Sequence, residues 1–109
     1  MNAMYVITDD LTFEVAAEDL PTTYEWTEAQ LACNCLNDRW RLPTLKELNY
    51  MYRLHKKAIG NFKLATYWSS DGMNNFDAIK LDFLNGSRTT GIIYKNPAPK
   101  CLVRPVRTV

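Results

Sequence analysis

Apolar and polar residues alternate at both ends of the chain, whereas apolar residues in the middle recur at helical spacing. Residues 4–8 and 11–16 alternate on either side of an Asp-Asp pair, which predicts two short strands joined by a turn. Alternation returns at residues 66–70 and 78–94, and again near the C-terminus. Strands, two helices and further strands, in this order and without internal repeats, are typical of an α+β domain.

The first helix is predicted from Thr27, because Thr27 and Gln30 have the spacing of a capping box. Apolar residues then recur on one helical face: Ala29, Ala32, Cys33 and Leu36. This face directs Cys33 into the core. Cys35 lies about 200° away around the helix, so the two thiols cannot bind one metal ion from a regular helix. We therefore interpret Cys33 as an ordinary buried cysteine.

The second helix follows the segment RWRLPT. Pro43 keeps Leu42 extended, and Thr44 with Glu47 forms a second capping box. The pattern predicts a helix over residues 45–58, ended by a Gly-Asn pair. The apolar stripe of this helix consists of Leu45, Leu48, Met51, Tyr52 and His55.

Large side chains next to these helices predict core anchors rather than ligand contacts. Trp40 and Trp68 are expected in the core, and Arg41 and Arg104 lie between core positions. A buried guanidinium needs hydrogen-bond partners, so each arginine is expected to pair with carbonyl groups or an acidic side chain. The single histidine, His55, has no serine, cysteine or acidic cluster beside it, so we interpret it as a half-buried ring at the end of a helix.

The clearest local signal is the hairpin predicted in residues 78–94, centred on an Asn-Gly dipeptide. This dipeptide favours a two-residue type I′ turn, which pairs Leu81 with Thr90 and Ile79 with Ile92. The same register places the large apolar side chains of both strands on one face: Ile79, Leu81, Phe83 and Ile92.

Length and composition are those of one globular domain, expected to span residues 1–109, with residues 1–3 set aside as a cloning remnant before a native start at Met4. The 13 basic and 12 acidic residues leave a net charge of +1, which argues against nucleic-acid binding because that function needs a concentrated basic surface. No apolar run approaches the roughly 20 residues of a membrane span.

Cysteine usage and the N-terminus predict where the protein resides. Cys33, Cys35 and Cys101 form no CxxC pair, and the first residues lack the apolar segment of a secretory signal. We therefore expect reduced thiols in the cytoplasm. Display on a virion or cell surface is the alternative, and a bridge from Cys101 to Cys33 or Cys35 stays open for export by another route.

Five segments, in this order, resemble the Lcl C-terminal-like domains of bacteria and phages: WTEAQLACNCLN, RWRLPTLKEL, YWSS, AIKLDFLNG and VRPVR. The resemblance covers residues 26–107. The chain departs from the usual pattern with Arg39 in place of glycine and Pro105 in place of cysteine. The resemblance implies a C-type-lectin-like fold, in which two helices pack on a small twisted antiparallel sheet and the N- and C-terminal strands are adjacent.

The resemblance also implies a ligand-binding face, since lectin-like folds bind through the loops that follow their late strands. In this chain those loops are residues 71–77, 85–88 and 94–100. The expected contact residues are Asp71, Asn74, Asn75, Asp77, Arg88, Tyr94 and Asn96. The expected ligand is a protein or a carbohydrate, bound without metal or cofactor, because the oxygen-bearing side chains lack the spacing of a calcium loop.

Three further interpretations concern the class of function. A retroelement-diversified binding protein is a sharper form of the same hypothesis. A structural subunit of a phage or cell-surface particle is the alternative, in which Pro105 marks an edge strand that pairs with a second copy and exposed tyrosines line the contact: Tyr5, Tyr24, Tyr50 and Tyr94. A formylglycine-generating enzyme is least favoured, since that chemistry needs a redox-active cysteine pair in a substrate groove.

Overall fold

The computed structural model describes residues 3–72 and 76–109, and over these residues the order of elements is the predicted one. The strands are β1 (Ala3–Ile7), β2 (Thr12–Ala16), β3 (Thr66–Gly72), β4 (Asp77–Asp82), β5 (Arg88–Ile92) and β6 (Val106–Thr108). The helices are α1 (Trp26–Asn34) and α2 (Leu45–Lys56). The α+β class is therefore confirmed.

The strands form two three-stranded antiparallel sheets, ordered β1-β2-β6 and β3-β4-β5, where the resemblance implied one. The terminal strands β1 and β6 share a sheet, but the expectation that they are adjacent is wrong, because β2 lies between them, with Val15 of β2 opposite Val106 of β6. Leu102, in the segment that leads into β6, bonds to β3 of the other sheet: its N–H donates to the Thr66 carbonyl at 3.0 Å and its carbonyl accepts the Trp68 N–H at 3.1 Å. One irregular segment before β6 therefore holds the outer side of β3.

Pro105 lies directly before β6, which is an edge strand as predicted. Its carbonyl accepts the Ala16 N–H at 2.9 Å. The outer side of β6 is occupied where it begins, because the Arg41 N–H donates to the Val106 carbonyl at 2.8 Å and the Val106 N–H donates back at 2.9 Å. The expectation that this strand offers a free edge to a second copy is therefore wrong at Val106.

Both predicted tryptophan anchors are buried. Trp68 packs in a cluster with residues of α1 and the segment before β6, and its indole N–H donates to the Tyr24 carbonyl at 2.7 Å. Trp40 carries the guanidinium of Arg107 over its ring, 4.6 Å from the centroid. A second cluster, between α2 and the two sheets, includes Phe13, Val15, Leu48, Met51, Tyr67, Leu81 and Phe83.

The second capping box is confirmed and the first is misplaced. At α2 the Glu47 N–H donates to Thr44 Oγ1 at 3.1 Å, and the Thr44 N–H donates to Glu47 Oε1 at 2.8 Å. At α1 the box joins Glu25 and Glu28 instead of Thr27 and Gln30. The earlier start places Trp26 in the helix, where its indole N–H donates to the Ser69 carbonyl at 2.8 Å.

The β4–β5 hairpin has a longer turn than the Asn-Gly dipeptide predicts. Leu81 pairs with Arg88 and Ile79 pairs with Thr90, two residues away from the expected register. Asp82 closes this longer turn, because its N–H donates to the Ser87 carbonyl at 2.9 Å and its carbonyl accepts the Gly86 N–H at 2.7 Å. Phe83 begins the turn and packs on the ring of Tyr67, with 4.5 Å between centroids. Ile79, Leu81 and Phe83 are buried as predicted, but Ile92 lies opposite Asp77 and is exposed.

Both arginines have the predicted partners. Arg41 donates to both carboxylate oxygens of Glu47, at 2.7 and 2.9 Å. Arg104 is buried and its Nε–H donates to Asp19 at 2.8 Å. Its guanidinium also donates to three main-chain carbonyls, those of Ala16, Gly60 and Asn61. The Arg104 guanidinium thus joins the chain after β2, the chain after α2 and the segment before β6.

The turn after α1 holds three successive residues in the left-handed region of backbone space. Asn37, Asp38 and Arg39 have φ values of 64°, 56° and 67°. Asparagine and aspartate tolerate this region better than other non-glycine residues, whereas arginine does not. Arg39, which stands where the family pattern has glycine, is therefore in a conformation that glycine adopts without steric cost.

Candidate ligand-binding face

The open end of the β4–β5 hairpin carries an exposed aromatic pair. Phe76 and Tyr94 are 60% and 71% exposed, and their ring centroids lie 6.3 Å apart at an interplanar angle of 73°. The Ile93 N–H donates to the Phe76 carbonyl at 2.8 Å, which fixes the two chain segments beside each other. Ile92 adds a third exposed apolar side chain, so this end of the sheet presents a small apolar patch.

A groove of about 290 Å³ lies beside this patch. Its lining residues are Lys80, Thr90, Gly91, Ile92, Lys95, Pro97 and Pro99. Within residues 3–72 and 76–109, neither Lys80 nor Lys95 forms a salt bridge. The groove therefore presents two lysine side chains that lie outside the salt bridges of the described chain. We call the groove together with Phe76, Ile92 and Tyr94 the loop face.

Gly91 is what allows the segment after β5 to pack against the sheet. A Cβ atom at Gly91 would lie 2.8 Å from Cγ of Pro99 and 3.0 Å from the Trp68 ring. These contacts are too short for any residue with a side chain, since carbon atoms in contact are separated by about 3.5–4.0 Å. Gly91 of the loop face therefore packs directly on Trp68, a buried core residue.

Of the seven predicted contact residues, Tyr94 belongs to the loop face, Asp77 and Asn96 are next to its residues in the chain, and Arg88 lies away from it. Asp77, Tyr94 and Asn96 lie at or beside the open end of the hairpin. Arg88 pairs with Leu81 at the opposite end of β5, four residues from Ile92, which is about 13 Å along a strand. Asn74 and Asn75 fall outside the described residues.

Asp71 has a structural partner. Its Oδ2 accepts the Leu45 N–H at 2.6 Å, at the first turn of α2. A carboxylate at this position also stabilises the helix dipole, whose N-terminal end is positive. One oxygen of Asp71 therefore caps the N-terminus of α2, alongside the capping box formed by Thr44 and Glu47.

A family model of the Lcl C-terminal domain matches residues 7–107. The chain belongs to this family. The comparison with curated proteins found no match. Within its described residues, this Lcl C-terminal domain has no helix that is both long and apolar enough to cross a membrane.

A larger groove of this Lcl C-terminal domain, about 640 Å³, lies elsewhere, between α1 and the N-terminus of α2. It is lined by Thr27, Gln30, Leu31, Asn34, Arg41, Leu42, Thr44 and Ser70. Arg41 is the charged residue among these, and its hydrogen bonds to Glu47 raise its pKa and outweigh partial burial. Because this guanidinium is already paired with a carboxylate, the larger groove offers less to a ligand than the loop face.

The thiols and the histidine are placed for packing. Cys33 and Cys101 are free and buried in the cluster around Trp68, and burial raises their thiol pKa values to about 12 and about 11. Both therefore stay protonated at neutral pH and are poor nucleophiles. The exposed thiol, Cys35, is also free. His55 is half-buried as predicted, with ring contacts to Tyr52, Phe62 and Phe83.

The sequence did not reveal Phe76, Ile92 and Lys80 as parts of the face. Phe76 follows an Asn-Asn pair that is typical of a polar loop, and Ile92 was expected to point inward. Lys80 lies in the middle of a strand, where a lysine normally marks a solvated side. Among the described residues, no group of histidine, cysteine, aspartate or glutamate is arranged to hold a metal ion.

Proposed function

We propose that this domain is a non-catalytic binding module that contacts a protein or carbohydrate ligand through the loop face. The observation that carries the proposal is the exposed Phe76–Tyr94 pair beside a groove with two lysines outside any salt bridge of the described chain. A bacterial or phage surface is the setting in which such a module would be displayed, on a C-type-lectin-like scaffold.

The aromatic pair supports binding because its exposure is costly in water. Removing apolar surface from water contributes about 25 cal/mol per Å², so two largely exposed rings provide a strong contribution once a ligand covers them. Tyrosine also supplies a hydroxyl and a flat surface with few rotatable bonds, a combination that is common in recognition surfaces.

The placement of the reactive groups supports a non-catalytic role. Two of the three thiols are buried with raised pKa values, and the His55 ring is half-buried against aromatic neighbours. General base or nucleophilic catalysis needs these groups in an accessible cleft, beside a partner that activates them. The loop face contains none of them among its described residues.

The scaffold proposal draws support from the position of the chain ends. The two end strands, β1 and β6, belong to one sheet, and the loop face belongs to the other sheet. This arrangement allows the domain to be attached by its termini and to present the loop face to a ligand.

The test is selection of ligands from immobilised carbohydrates and from a displayed peptide library. Tyr94→Ala and Phe76→Ala should each weaken binding of a selected ligand by at least about tenfold, which corresponds to about 1.4 kcal/mol. Leu31→Ala is the matched control, because Leu31 is 64% exposed and lines the α1 groove instead. The proposal fails if the wild-type protein binds no carbohydrate and selects no peptide. It also fails if the Leu31→Ala variant loses binding and the two loop-face variants do not.

A further inference from the structure

Strand β1 has an outer side that nothing in the described chain covers, unlike the other sheet edges. It is the first strand in the order β1-β2-β6, and its partner within the described chain is β2. On the other edges, Leu102 and Pro43 bond to the outer side of β3, and Arg41 bonds to β6. The edge strand β5 carries Arg88 and is flanked by the Pro97 and Pro99 segment.

Strand β1 contains none of the residues that normally prevent an edge strand from pairing with another strand. Its five residues, AMYVI, include no charge, no proline and no glycine. Natural edge strands are normally protected by lysine, proline, a bulge or a covering loop, since their unpaired N–H and C=O groups would otherwise accept another strand. An uncharged open edge therefore indicates pairing with a further strand.

The phase of the β1–β2 hydrogen bonds shows which groups point outward. The Thr8 N–H donates to the Leu11 carbonyl at 2.8 Å, so these two residues form a hydrogen-bonded pair. Bonded and non-bonded pairs alternate along an antiparallel ladder, which makes Val6–Phe13 the next bonded pair. The N–H and C=O groups of Tyr5 and Ile7 consequently point away from β2.

From this phase we propose that β1 pairs antiparallel with β1 of a second copy of the chain, about a two-fold axis at Tyr5. Tyr5 then exchanges two hydrogen bonds with Tyr5 of the partner subunit, and Ile7 of each copy pairs with the N-terminal end of the other β1. All of these residue pairs are hydrogen-bonded pairs, because the N–H and C=O groups point outward at every second residue of β1. Two three-stranded sheets become one six-stranded sheet.

The side chains favour the same partner. Tyr5 and Ile7 are 62% and 76% exposed and share one face of the sheet. In the antiparallel pair, each tyrosine lies opposite the other and no charged side chain within β1 faces a like charge. Aromatic pairs directly opposite each other stabilise antiparallel ladders. A second copy thus covers apolar surface that the monomer leaves in water.

The test is sedimentation velocity of the whole chain at rising concentration, up to about 1 mM, the weak end of measurable association. Wild type should form a dimer, and Tyr5→Lys should weaken dimerisation by about tenfold or more, because two like charges then lie opposite each other. Tyr94→Lys adds the same charge at an equally exposed aromatic residue on the loop face, and it should dimerise as wild type does.

Amide hydrogen exchange provides a second readout that does not depend on a variant. Raising the concentration should slow exchange at Tyr5 and Ile7 but not at Val6, whose N–H is already bonded to β2. A monomer at every concentration overturns the proposal. A dimer whose slowed amides lie in β5 also overturns the proposal. The same holds for a dimer that the Tyr94→Lys change dissociates and the Tyr5→Lys change does not.

Discussion

Replacing Asp19 with asparagine tests whether the buried ion pair with Arg104 holds the fold together. The two side chains are 6% and 1% exposed, so each charge is almost fully removed from water. Asp19 accepts from Arg104 Nε at 2.8 Å and from the Tyr67 hydroxyl at 2.9 Å. The Asp19→Asn change keeps the shape of the side chain but leaves the guanidinium without its counter-charge.

Breaking one partner of a buried ion pair typically destabilises a protein by about 3–5 kcal/mol, because the remaining charge is not compensated. Three main-chain carbonyls still accept from Arg104, so we expect the lower end, about 3 kcal/mol. Tyr67 adds to the loss of stability. Its oxygen already accepts the Lys63 N–H at 2.9 Å, so its hydroxyl proton needs an acceptor. In one orientation of the introduced asparagine, that proton would face the amide NH₂ group instead.

Urea denaturation measures this change, as a lower midpoint with an unchanged dependence of the unfolding free energy on denaturant concentration. Asp10→Asn is the matched control, because Asp10 pairs with Lys46 on the surface, where ion pairs contribute little. A loss below about 1 kcal/mol at Asp19 would refute the reasoning. It would mean that water enters the neighbouring groove of about 310 Å³ and solvates the guanidinium.

Three other changes test the core, an ionisable cap and the strained turn. Trp68→Ala should cost about 3–5 kcal/mol in chemical denaturation, as truncation of a large buried side chain, and a loss below about 1 kcal/mol would contradict its place in the core. Burial alone raises the pKa of Glu47, but hydrogen bonds from Arg41 and Thr44 outweigh it and hold the pKa below its usual value. Stability from this group is therefore present above the ordinary glutamate pKa of about 4.3 and is lost as pH falls through the lower folded value. Thermal unfolding from about pH 6 to about pH 2 should show Glu47→Gln less stable than wild type at the upper end, with a gap that narrows in acid; a constant gap would count against the ionised pair. Arg39→Gly should raise the unfolding free energy by about 1 kcal/mol, since φ is 67° there, and a lower denaturation midpoint would show that arginine contacts matter more than backbone strain.

The sequence was sufficient where a residue's role depends on its immediate neighbours or on its size. The Thr44–Glu47 capping box was predicted because both partners lie within one helical turn. The tryptophan anchors and the paired arginines were predicted because such side chains have few stable placements other than a packed core or a hydrogen-bonded pair. The family resemblance was confirmed by the match over residues 7–107.

The parts that could not be predicted depend on contacts between distant segments. The hairpin has a longer turn than the Asn-Gly dipeptide favours, and Phe83 in this turn packs on Tyr67 of a neighbouring strand. Asp71 was predicted as a ligand contact because it follows a strand, whereas its carboxylate caps a helix 26 residues earlier in the chain. Neither partner is adjacent in sequence, so no local pattern contains the information.

The same distinction bears on how the loop face relates to stability. Tyr94 and Phe76 are largely exposed, so their side chains can change with little effect on folding, because surface substitutions away from special features usually alter stability by less than about 0.5 kcal/mol. Trp68 is different, because its ring contacts Gly91 beneath the groove and also fills the core. A chain that varies its ligand would therefore vary the two exposed aromatic residues and keep Trp68 and Gly91. Retroelement diversification of the loops requires this pattern. Sequencing the gene across a natural population tests it: substitutions should be frequent at residues 76 and 94 and rare at residues 68 and 91.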